Sequence, residues 1–198
     1  MKDVLAPEPA ALGDRRGTMR KIAGFLGTLV VLFPALLAAQ APPAPATPGP
    51  VFRTPFDLKL QVDKKHYYQE HFADIPYVAG NDVYLFAGEH FGINVTITDN
   101  QITGIVYQSD PDKSDVDLKF WQEKSSAGPM MMLVTHNKLK GRLLFDALMT
   151  IPEKQGTFKT SIIPIEPGLS NYESWPHPIV QLVLRNFRFV ERASTAPR

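Results

Sequence analysis

Phe56-Asp57-Leu58-Lys59-Leu60-Gln61-Val62-Asp63 alternates apolar and polar side chains without an error. Successive side chains of a strand point to opposite faces, so this period of two predicts a half-buried β-strand. The same signature recurs along the rest of the chain. Val83-Tyr84-Leu85-Phe86 is a short, wholly apolar strand candidate. Ile93, Val95 and Ile97 alternate with Asn94, Thr96 and Thr98, Asp99-Asn100 supplies a turn, and residues 102–107 return, which together predict a hairpin. Val116, Leu118 and Phe120 alternate again, residues 130–135 are a compact apolar run, and residues 157–165 and 179–189 are rich in β-branched and aromatic side chains.

One stretch fits two periods. Leu139, Leu143, Leu144, Ala147, Leu148 and Ile151 fall at helical spacing, but Leu139, Gly141, Leu143, Phe145, Ala147, Met149 and Ile151 also alternate. Gly141 disfavours a helix and Asn137-Lys138 has turn chemistry, so a strand is predicted. About seven to nine short strands with turns between them, and no repeat at a fixed period, predict an all-β domain. Its expected form is an antiparallel β-sandwich, immunoglobulin-like in pattern, over residues 56–191. The cysteine–tryptophan–cysteine signature of antibody-type domains is absent, and nothing alternates strand with helix as a doubly wound nucleotide-binding fold would.

The chain before this domain has a different character. Met19-Arg20-Lys21 is basic, residues 22–39 are apolar and uncharged, and the run ends in Leu37-Ala38-Ala39-Gln40-Ala41. Basic, apolar, small is the order of a secretory signal, so residues 19–39 are expected to be one, cut after Ala39. Residues 1–18 do not belong to that pattern and read as an upstream or mis-assigned start, with Met19 as the working one. Residues 40–55 form a proline-rich linker. Its segment Ala-Pro-Pro-Ala-Pro-Ala-Thr-Pro-Gly-Pro at 41–50 suits an extended spacer of about 3.1 Å per residue. Residues 192–198 are expected to be a disordered tail.

Charge and cysteine content narrow the function classes. Formal net charge is +1, and several of the basic residues sit in the first 21 positions, leaving the domain near neutral. Counterion release needs clustered Lys and Arg, so nucleic acid is not an expected partner. A membrane is expected as a partner only if the signal stays uncleaved. The chain has no cysteine, which removes disulfides, thiolate metal sites, a cysteine nucleophile and an acylated-cysteine anchor.

Three places could carry chemistry. Tyr172-Glu173-Ser174-Trp175-Pro176-His177-Pro178 is the most distinctive. Trp175 and Tyr172 could stack on a flat ligand such as a sugar while Glu173 and His177 supply hydrogen bonds; the structural alternative has Trp175 plugging one end of the sandwich. Asp110, Asp112 and Asp115 are oxygen ligands at close spacing, a candidate calcium loop. An EF-hand would need Gly where Asp115 stands and Glu where Trp121 stands. His66-Tyr67-Tyr68-Gln69-Glu70-His71 misses the zinc-protease spacings and reads as a surface loop. No nucleophile elbow or phosphate-binding glycine loop is present. Met130-Met131-Met132 reads as core strand, since consecutive strand residues cannot converge on one ion.

The expectation is therefore an exported, non-enzymatic β-sandwich that binds or supports another component of the bacterial envelope, a protein or a carbohydrate, in the periplasm or as a secreted protein. No cofactor is expected apart from the calcium candidate. The alternative is a periplasmic hydrolase or metal-dependent enzyme built from some of His66, His71, His90, Glu173 and His177.

Overall fold

The computed structural model describes residues 49–125 and 128–191. The signal at 19–39, most of the linker and the tail at 192–198 lie outside the described residues. Among the described residues there are twelve strands: β1 Phe56–Gln61, β2 Tyr67–Phe72, β3 Val78–Ala79, β4 Asp82–Leu85, β5 Glu89–Thr98, β6 Gln101–Gln108, β7 Val116–Ser125, β8 Gly128–Asn137, β9 Arg142–Thr150, β10 Phe158–Thr160, β11 Ser170–Trp175 and β12 Gln181–Val190. A 3₁₀ turn, Pro111–Lys113, interrupts them between β6 and β7.

Ten of the strands form two antiparallel five-stranded sheets, ordered β10-β9-β12-β4-β3 and β11-β8-β7-β5-β6. The chain is an all-β sandwich. Alternation explains it directly. Val116, Leu118 and Phe120 of β7, Met131 and Leu133 of β8, Phe91 and Ile93 of β5, and Leu182 and Leu184 of β12 are all buried, and their neighbours face out. Segment 139–151 contributes the strand β9, with Leu143, Phe145 and Ala147 inward.

The remaining pair, β1–β2, is a small sheet of its own. Leu58 and Leu60 are buried, and Phe56 and Phe72 pack on Phe86 at ring-centroid distances of 5.1 and 5.0 Å. Gln122 of β7 ties the hairpin down twice: its Oε1 accepts from Gln61 N at 2.8 Å and its Nε2 donates to Gln61 O at 2.9 Å.

Two features differ from the sequence expectation. The immunoglobulin arrangement places strands A, B, E and D in one sheet and C, F and G in the other. Here the consecutive hairpins β5–β6 and β7–β8 share one sheet, so the sandwich architecture holds without that strand order. There are also more strands than the pattern predicts. β2 takes in most of the histidine stretch read as a surface loop. It is hidden because only Tyr68 and Phe72 of it are half-buried. β3 has two residues, and β11 is masked because the polar Asn171 and Glu173 stand on the same inward phase as Trp175.

Arg53 joins the chain entering the domain to its core. Phe52 bridges to Pro76, and the Arg53 side chain is only 3% exposed. Its guanidinium donates to both oxygens of Glu89 at 2.5 and 2.9 Å, to Tyr84 O at 2.5 Å and to Pro76 O at 2.6 Å. It also lies 4.0 Å over the Tyr77 ring. Glu89 accepts a further bond from Phe86 N at 2.8 Å. A buried ion pair is tolerable only when its polar atoms are satisfied in this way.

Candidate functional site

The four residues singled out around Trp175 do not converge. Tyr172 and Trp175 are an odd number of positions apart on β11, so they face opposite ways. Tyr172 is 68% exposed. Trp175 is 7% exposed, meets Phe120 edge-on at 6.5 Å, and donates from Nε1 to Thr160 Oγ1 at 2.9 Å. Its ring is part of the core. Glu173 accepts from Ile163 N at 3.1 Å and from Asn171 Nδ2 at 2.8 Å, which holds the 160–165 segment beside β11. His177 follows the strand and lines a groove of about 390 Å³ with Lys64, Pro129 and Met130.

The three aspartates are also engaged separately. Asp110 caps the 3₁₀ turn, accepting from Asp112 N at 3.1 Å and pairing with Lys113 at 2.9 Å. The Lys113 hydrogen bond is the main reason its carboxyl titrates below the usual range. Asp115 accepts from Val95 N at 2.9 Å. Lys138 Nζ donates to the carbonyls of Pro111 and Asp112 at 2.5 and 3.3 Å, so an ammonium occupies carbonyls a loop cation would use. The histidines form separate pairs: His66 with Asp63 at 2.7 Å, His71 with Asp57 at 2.8 Å and His90 with Asp117 at 2.9 Å. Among the described residues, no group of three or more His, Asp or Glu is placed to hold a metal ion.

What the fold does assemble is the outer face of the sheet β11-β8-β7-β5-β6. Register fixes its members. Ser170, His136, Asp117 and Gly92 lie in one cross-strand row, Tyr172, Val134, Lys119 and His90 in the next, and Ser174, Met132 and Trp121 in the third. Met130 stands opposite Glu123 beyond them. Trp121, Met130, Met132, Val134 and Tyr172 make a continuous apolar strip. Tyr172 is exposed and the other four are half-buried. Tyr172 and Trp121 are two strands and two residues apart, on the order of 12 Å from the ordinary strand spacing and rise.

The polar groups around the strip are held in place. His90 Nε2 meets Asp117 Oδ1, His136 Nδ1 meets Ser170 Oγ at 3.0 Å, and Trp121 Nε1 donates to Glu123 Oε2 at 2.9 Å. Lys119 Nζ sits 5.3 Å from the Trp121 ring centroid. Contacts of this kind fix side-chain rotamers, which lowers the ordering cost of binding. The face offers an apolar centre with a mixed-charge rim, and no array of groups aimed at one reacting atom.

Of this face, sequence reading singled out Tyr172 and passed over Trp121, Met132 and Val134. The signal was present: Asp117, Lys119, Trp121 and Glu123 occupy the outward phase opposite Val116, Leu118 and Phe120, so a tryptophan stands among charged residues. Of the three consecutive methionines, Met131 alone is in the core. Among the described residues no helix is long and apolar enough to cross a membrane. No protein-family model, no curated protein and no solved structure is significantly similar to this chain.

Proposed function

We propose that the chain is an exported binding protein without catalysis of its own, and that it docks a partner protein of the bacterial envelope on the outer face of the sheet β11-β8-β7-β5-β6. The carrying observation is the strip of Trp121, Met130, Met132, Val134 and Tyr172 framed by Lys119, His90, Asp117, His136 and Glu123. Exposed apolar patches rimmed by polar groups mark interaction sites, and protein interfaces are enriched in Trp, Tyr and Met at their centres. Export is supported by the composition of residues 19–41, a periplasmic or secreted location follows from it, and the near-neutral domain suits a protein partner better than a polyanion. A carbohydrate is the second reading, favoured by the exposure of Tyr172 beside the His136–Ser170 pair.

The test is in-cell photo-crosslinking from an unnatural residue at Val134, with one at Lys154 as the control position. A discrete protein adduct from Val134 alone, abolished by Met132→Lys, is the expected result. Adducts of equal pattern from both positions, or none from Val134, would overturn the reading. Retardation of the protein in gels containing peptidoglycan fragments, lost in Tyr172→Ala, would move it to carbohydrate.

A further inference from the structure

We propose that two copies of this chain pair antiparallel along the free edge of β6, joining their sheets into one of ten strands, five from each copy. The argument starts from how the other edges are guarded. A bare strand edge presents unpaired N–H and C=O groups, and proteins blunt it with short strands, charge, proline or a covering segment. β3 and β10 are two and three residues long. β10 also carries the exposed Lys159, which pairs with Asp146 at 3.7 Å. β11 is flanked by the 160–165 segment through the Glu173–Ile163 and Trp175–Thr160 bonds. β1 and β2 carry Asp57, Lys59 and Glu70.

Among the described residues, β6 has none of these devices along most of its length. Gln101-Ile-Thr-Gly-Ile-Val-Tyr-Gln108 has no charge and no proline. Its backbone pairs with β5, and no backbone hydrogen bond joins residues 101–108 to any other segment among the described residues. A bulge at Thr103 disturbs one end, where the register jumps between Thr96↔Gly104 and Ile97↔Ile102. Residues 104–108 beyond it are regular. Beneath them opens a groove of about 470 Å³ lined by Val51, Val78, Ala79, Ile105, Val106 and Tyr107. Val51 there is 46% exposed.

A second β6 is the occupant that fits. Antiparallel self-pairing of this uncharged strand places no like charges opposite one another. A strand laid along residues 104–108 also roofs the apolar groove, and a two-fold axis does so for both copies at once. The regular stretch is centred on Val106, so the axis puts Val106 opposite Val106. The axis stands perpendicular to the sheet, so both outer faces end on the same side of the pair.

The test uses the full chain in sedimentation velocity across a concentration series. The wild type is expected to sediment as a dimer, and Val106→Lys, which sets two ammonium groups face to face, to weaken dimerisation at least tenfold. Because the chain has no cysteine, Val106→Cys adds a single thiol, expected to give a covalent dimer on a non-reducing gel. Tyr172→Cys, on the far edge, should not. A wild type that stays monomeric throughout overturns the proposal. So does a dimer that withstands Val106→Lys and gives no Val106→Cys crosslink. Should circular dichroism show Val106→Lys unfolded, the crosslink alone decides.

Discussion

Arg53 is held by more partners than any other side chain described above, and its removal tests how the domain is closed. Arg53→Met keeps the stem's apolar bulk but strands the Glu89 carboxylate beside Phe86 and takes the guanidinium from the Tyr84 carbonyl. Breaking one half of a buried pair costs about 3–5 kcal/mol, so urea unfolding of Arg53→Met should lose roughly that much against wild type. Arg53→Met combined with Glu89→Leu should recover part of it. The two aromatic residues of β11 should separate as cleanly. Trp175→Ala opens a cavity in the core and is expected to cost about 3–5 kcal/mol. Tyr172→Ala, at an exposed position, should leave the urea midpoint within about 0.5 kcal/mol of wild type. Equal losses in both would contradict the opposed orientations. Nothing in the sequence ranked these two residues. Both stand in one seven-residue stretch, and only the register of β11 against β8 says which faces water. Arg53 was equally silent, because an arginine three residues before the first strand carries no periodicity.

The β1–β2 hairpin shows an element tuned by exposed charge. Asp63 receives the His66 ring and the backbone N–H groups of Lys65 and His66, at 2.7, 2.7 and 2.8 Å. Those bonds, that from His66 foremost, bring the Asp63 carboxyl down from 3.8 to about 2, and the same bond raises His66 above its ordinary 6.5. The Asp63 contribution is complete above 3.8 and disappears as pH falls through about 2. The His66 contribution is complete below 6.5 and disappears as pH rises through its elevated value. The hairpin tip should therefore be tightest between 3.8 and 6.5. Amide exchange at Lys65 and His66 across pH, corrected for intrinsic rates, should show greatest protection there. Protection flat across pH, or unchanged in Asp63→Asn, would refute it. β1 was the most legible element in the chain, because its alternation is unbroken. Bulges were not legible. Thr103 in β6 lets both Ile102 and Ile105 turn inward, and Asn186, at φ 54°, does the same for Leu184 and Phe187 in β12. In each case an odd spacing between core residues is the only trace, and it looks like a broken pattern until the partner strand is known.

At the scale of the whole molecule, the sandwich was legible from alternation and turn chemistry, whereas strand order was not, because it depends on pairings between distant segments. The outer-face strip illustrates the difference: its residues come from β7, β8 and β11, and Trp121 lies far from Tyr172 in sequence. If the β6 edges pair as proposed, two such strips lie on one side of the assembly. A partner presenting two copies of its own surface would then be held by avidity, with no stronger contact at either strip. Loss of the dimer through Val106→Lys should weaken capture of such a partner while leaving single-strip contacts intact.

β12 has a further consequence that concerns time. It is the last strand among the described residues, yet it lies in the middle of its sheet, between β9 and β4. Until residues 181–190 are available, no strand joins β3–β4 to β9–β10, and the two pairs remain unconnected within their sheet. The long-range pairing that joins them is of the slow kind, since its loops must close before any contact rewards them. A nascent chain of this order cannot close the sheet β10-β9-β12-β4-β3 until residues 181–190 have left the ribosome. For a chain proposed to leave the cytoplasm, a sheet that closes late favours the threadable state that passage through a narrow channel requires.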